Sequence, residues 1–153
     1  MDADVREIYL EVWTLCVNQE RPLLHRYRSL RASFERVIRE QMQNVSLQAT
    51  DLAARINYIA VQFSFDSECT HALHTFRLTS NDVLNCRKEP VDRELLRDIR
   101  AVADAYVGIF SVPIPKDLND ILPVPVRKMS MQRGGDDFFR RVRVRFGSPD
   151  EEL

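Results

Sequence analysis

A chain of 153 residues suits one ordinary domain, or a domain of about 110 residues and the start of another. Apolar content of 44% and charged content of 29% exclude overall disorder. A net charge of −1 excludes wholesale binding to nucleic acid or membrane, so any such contact has to come from a local patch.

Cys16, Cys69 and Cys86 lack CxxC spacing. They offer neither a disulfide framework nor a thiolate cage and fit reduced thiols in a cytoplasmic compartment. The opening MDADVREIYL has no basic region followed by an apolar one, as a signal peptide would. Apolar runs such as Tyr58–Val61 are too short to span a bilayer. A soluble cytoplasmic protein is expected, without membrane contact.

Breakers of regular structure are unevenly spread. All four glycines and five of the seven prolines follow Val107, and neither residue occurs between Pro22 and Pro90. The chain to about residue 111 therefore reads as helical. Val5, Ile8, Tyr9, Val12, Trp13 and Cys16 mark one face of a first helix, and Glu20–Pro22 the turn after it. Leu23, Tyr27, Leu30, Phe34, Val37, Ile38 and Met42 mark a long second helix. Thr50-Asp51 caps a third carrying Leu52, Ile56, Ile59 and Phe63, and Asp66-Ser67 a fourth carrying Cys69, Leu73 and Phe76. Thr79-Ser80 either interrupts that helix or caps a short one with Val83 and Leu84. Pro90 suits the first turn of a last long helix, whose buried face is Val91, Leu95, Ile99, Val102, Tyr106 and Phe110. The fold class is all-α: a bundle of five or six helices over about residues 1–111.

Beyond it, residues 112–125 form a proline-punctuated connection with at most one helical turn, around Leu118–Leu122. Residues 126–147 read as a β-hairpin, because Gly134-Gly135 makes a turn and Arg141–Phe146 alternates with period two. A lone hairpin is marginal in water. It has to pack on the bundle, pair with another chain or open a following domain. Residues 148–153 are an acidic tail.

The chemistry-bearing run is Leu73–Asn85, LHTFRLTSNDVLN. Arg77, Asn81 and Asn85 recur every four residues, so a helix places them on one face. Arginine offers phosphate a fork of donors, and asparagine both donates and accepts. The same residues also suit a polar network that fixes helix packing, and spacing alone leaves both readings open.

Leu73-His74 with Arg77, Asn81 and a polar residue at 85 resembles the signature of the HEPN superfamily, the higher eukaryote and prokaryote nucleotide-binding helical domains. Arg31 and Glu35 in SLRASFERVIRE resemble the arginine and glutamate that a prokaryotic branch carries on an earlier long helix. The resemblance covers about Leu23–Phe110. It departs from the pattern at Ser80, where glycine is usual, and at Asn85, where active members have histidine. Asparagine exchanges no proton near neutral pH, so the resemblance implies a domain that has lost the cleavage step. It implies Arg77, Asn81, His74, Arg31 and Glu35 as binding residues, with no cofactor. It further implies RNA or DNA as ligand, a homodimer formed through the bundle, and fusion to or association with a helicase or restriction-type nuclease.

Two other groups carry chemistry. His71 and His74 share helical spacing but lack a clear third ligand, so no metal is expected. Arg127, Lys128, Arg133, Arg140, Arg141, Arg143 and Arg145 form a basic ribbon facing only Asp136 and Asp137 within residues 127–146. That ribbon is either a nucleic-acid patch or a solvated strand face with its edge blunted by arginine.

Three functions follow as expectations. The first is a degenerate accessory domain of a larger nucleic-acid-processing protein. The second is a residual metal-independent ribonuclease using Arg77 with His74 or His71. The third is a stand-alone helical interaction module whose hairpin pairs with a partner's sheet edge.

Overall fold

The computed structural model describes residues 2–43 and 51–124. Six helices occur among them: α1 (Asp2–Val17), α2 (Leu23–Gln41), α3 (Leu52–Gln62), α4 (Ser67–Leu84), α5 (Asp92–Phe110) and the short α6 (Lys116–Ile121). The helical bundle expected from apolar periodicity is present. The hairpin at 126–147, the tail at 148–153 and all seven basic residues of the ribbon lie outside the described residues.

Local chemistry sets the helix starts. Asp51 accepts the Ala54 N–H at 2.8 Å and Asp66 the Cys69 N–H at 2.7 Å, each satisfying a donor that the first turn leaves without an intrahelical partner. Such a cap contributes about 1 kcal/mol. Pro90 is not in the first turn of α5. The helix begins at Asp92 after the extended Val91, where Asp92 and Glu94 complement the positive end of the helix dipole.

The helix ends explain how a bundle closes with so little glycine. Ser64, Cys86 and Ser111 take the left-handed conformation that glycine usually supplies, with φ of 57°, 61° and 58°. After α3, the Ser64 and Phe65 N–H groups return to Val61 and Ala60 carbonyls. After α4, those of Cys86 and Arg87 return to Val83 and Asp82. Both are Schellman closures made without glycine. Gly108 is required for another reason: a Cβ there would lie 2.6 Å from Phe65 Cε1, so the ring rests against bare backbone.

Thr79-Ser80 neither breaks α4 nor starts a new helix. Ser80 is fully buried, and its hydroxyl bonds back to the Arg77 carbonyl at 3.1 Å. Both hydroxyls also receive arginines from neighbouring helices, so their local preference for caps is overridden.

Apolar faces meet in one core that includes Tyr27, Phe34, Leu73, Phe76, Ile99 and Tyr106. α4 packs on α5, α2 and α3, and α1 on α5, α2 and α6. Phe34 of α2 and Phe76 of α4 meet edge to face, with centroids 5.6 Å apart and planes at 75°. The Tyr9 hydroxyl donates to the Val112 carbonyl at 3.0 Å, and Leu118 and Leu122 are buried, so the connection after α5 stays against the helices. The compact unit extends to Pro123.

Candidate functional site

α2 and α4 cross so that the two sequence-distant elements of the candidate site touch. Arg31 Nε donates to Glu35 Oε2 at 2.9 Å, and its Nη1 donates to Ser80 Oγ at 2.6 Å and Asn81 Oδ1 at 2.8 Å. Arg31 and Glu35 side chains are 16% and 36% exposed, so the cluster sits at the rim of the core. An arginine four residues before a glutamate is the weaker order for a helical pair. Its principal effect is to fix the guanidinium for the cross-helix contacts, because hydrogen bonds to charged groups contribute about 1.5–3 kcal/mol each.

One turn back along α4, Arg77 takes part in a separate chain. Its Nε donates to His74 Nδ1 at 3.2 Å, and His74 Nε2 lies 2.9 Å from Asn57 Oδ1 on α3. A lone pair on Nδ1 puts the ring proton on Nε2, which donates to Asn57. Burial lowers the His74 pKa from its ordinary value, and the nearby Arg77 and His71 charges lower it further. The terminal amino groups of Arg77 have no hydrogen-bond or ionic partner among the described residues.

Asn85 stands apart from both clusters. It caps the C-terminal end of α4, and its Nδ2 donates to the Asn81 carbonyl at 2.8 Å. Arg31, Glu35 and Asn81 thus form one cluster and Arg77 with His74 a second, while Asn85 closes the helix. His71 is exposed, and among the described residues no group of three His, Cys, Asp or Glu side chains could hold a metal.

Sequence reasoning missed three participants. Asn57 had no visible signal, being an exposed polar residue on an amphipathic helix. Ser80, expected with Thr79 to interrupt the helix or cap a short one, instead accepts Arg31 from inside α4. The third was a closed cluster on the α5 side: Tyr27 Oη donates to Asp98 Oδ2 at 2.8 Å, Arg97 Nε donates to Asp98 Oδ1 at 3.0 Å, and Arg97 Nη2 reaches Thr79 Oγ1 at 3.1 Å. A carboxylate between Leu95 and Ile99 on an apolar face was the available signal. Burial raises the Asp98 carboxyl above the ordinary aspartate value against the opposing bonds from Arg97 and Tyr27. Burial and the same carboxylate raise the Tyr27 hydroxyl.

A hollow of about 410 Å³ lined by Gln19–Leu23, Arg26 and Asp92 includes none of the motif residues. It mixes both signs of charge, and buried Arg26 donates there to the Leu15 carbonyl at 3.0 Å, tying α2 to the end of α1. No helix among the described residues is long and apolar enough to cross a membrane. No family model, curated protein or solved structure matches the chain.

Proposed function

We propose that the chain is a catalytically degenerate HEPN-like accessory domain that contacts the phosphates of RNA or DNA through Arg77. It would serve as the N-terminal module of a larger nucleic-acid-processing protein of the helicase or restriction-nuclease kind. The observation that carries this reading is the arrangement on α4. Arg31 of α2, paired with Glu35, meets Ser80 and Asn81, while Arg77 is held at Nε with no partner for its terminal amino groups among the described residues. A guanidinium tied at one edge offers its other edge to two phosphate oxygens with less ordering left to complete. Asn85 is engaged at the helix end and has no proton to exchange, which supports binding over cleavage.

The test is binding of short RNA and DNA at low salt by the whole chain, by Arg77→Ala, and by a form lacking residues 124–153. Loss of binding in Arg77→Ala with the helical content unchanged is the expected result. Equal binding by Arg77→Ala removes the site, and loss only on truncation moves the contact to the basic segment. Sedimentation equilibrium on the same samples tests the homodimer through the bundle, which this reading includes. A monomer at all concentrations removes that part.

A second reading is favoured by the contact between His74 and Arg77, which sets an imidazole beside the guanidinium. As a residual ribonuclease, the protein would cleave RNA without metal and lose that activity in Arg77→Ala. Both His74 nitrogens are engaged, so proton transfer would first have to break one of these bonds. RNA left intact by pure protein over long incubation excludes this activity.

A further inference from the structure

The chain from Arg77 through His74 to Asn57 runs in one direction. Guanidinium donates to imidazole, and imidazole donates to carboxamide, across 3.2 Å and 2.9 Å. The first link exists only while Nδ1 carries a lone pair. A proton on Nδ1 turns that acceptor into a donor and sets an imidazolium against a guanidinium, so attraction becomes repulsion. Arg77 and His71, both on α4, are the charged or titratable groups that act on His74. From α3 the facing group is the neutral Asn57. Burial lowers the His74 pKa, so the ring is neutral and the link intact at neutral pH.

We propose that His74, steadied by Asn57, is the positioning residue that holds Arg77 by its Nε edge with the terminal edge ready for two phosphodiester oxygens, and that a proton on Nδ1 releases it. The proposal rests on the reading of Arg77 as a phosphate contact, whereas the holding and release involve only α3 and α4. The site thereby gains a regulation: acid loosens its principal cation. Acid also adds a positive charge near the anion, but that attraction is screened at high salt while the loss of positioning is not.

Two measurements on the whole chain test this. The first follows the His74 ring nitrogens and the Arg77 Nε–H by nitrogen-15 NMR across a pH titration. The Arg77 signal should be protected at neutral pH and lose protection at the midpoint of His74 titration. His74→Gln, which keeps an acceptor and a donor, should remain protected throughout, and His74→Ala at no pH. The second measures the affinity for a short oligouridylate, whose phosphodiesters do not titrate in this range, at high ionic strength. Wild-type affinity should fall about three- to tenfold on acidification, as expected when a side chain must be re-ordered on binding. His74→Gln should be flat.

An Arg77 Nε–H indifferent to His74 titration overturns the proposal, as does pH dependence that survives in His74→Gln. Arg77-dependent binding without the NMR coupling keeps the phosphate reading and removes the release. Intact coupling with no oligouridylate binding at any pH removes the phosphate reading and leaves the release standing.

Discussion

Thr79 and Ser80 are neighbours on α4, yet they serve two different polar clusters. Thr79 receives Arg97 from α5, in a group where Tyr27 and Arg97 both end on a carboxylate only 1% exposed. Ser80 receives Arg31 from α2, at the core rim, and one turn away Arg77 keeps amino groups unoccupied among the described residues. The closed cluster matches its buried carboxylate and the Tyr27 hydroxyl inside the fold and works as a fastener, with only the half-exposed Arg97 extending to its edge. The open one carries more donors than the described residues use. Surplus donors on a held side chain mark the place where a ligand can add partners at low cost.

Mutations can break this comparison. The largest effect is expected from Asp98→Ala, which strands the Tyr27 hydroxyl in the core and removes the anchor of Arg97. Urea denaturation should show a loss of roughly 3 kcal/mol. A loss below about 1 kcal/mol would mean that the cluster is no fastener. Asp98→Asn should cost less and report on pH. The native carboxyl keeps its proton above the ordinary value of 3.8. The proton-linked part of its contribution is therefore complete below that value and is lost as pH rises through the raised native pKa, leaving the bonds of the ionised carboxylate to Tyr27 and Arg97. The asparagine variant should flatten this part of the stability profile.

Arg31→Met should cost less than Asp98→Ala, about 1–2 kcal/mol, because Glu35 and Asn81 can turn to water whereas Ser80 cannot. Equal losses in the two variants would erase the distinction between rim and core. The His74 effect should be smaller again. Its native pKa lies below 6.5, so the unfolded chain binds more protons in acid. Stability should decline as pH falls from about 6.5 towards the native value, and thermal melts of His74→Gln should lack that decline. Smallest of all is Arg77→Ala, expected within about 0.5 kcal/mol of wild type in stability. Stability nearly untouched together with oligonucleotide binding abolished is the signature of a residue serving a ligand rather than the fold.

Legibility from the sequence followed the range of the interactions. Asp51 and Asp66 were identifiable as caps because a cap involves residues two or three apart. Pro90 misled because two acidic residues just after it supply a better start. Thr79-Ser80 misled because hydroxyls that favour turns in isolation here have partners on other helices. Arg31, Glu35 and Asn81 were grouped through a family resemblance, and the fold does bring them within hydrogen-bond reach. Asn57 and Asp98 could be assigned only once their partners were placed.

By itself, then, the sequence determined which segments are helical, where most of them start and which faces are apolar. A 3.6-residue repeat and its caps are written in near neighbours. Only the tertiary structure decided that Arg31 meets Ser80 and Asn81, that His74 turns its second nitrogen to Asn57, and that Asp98 receives Tyr27. Those pairings depend on how the helices cross, and crossing is set by the whole core rather than by any one segment.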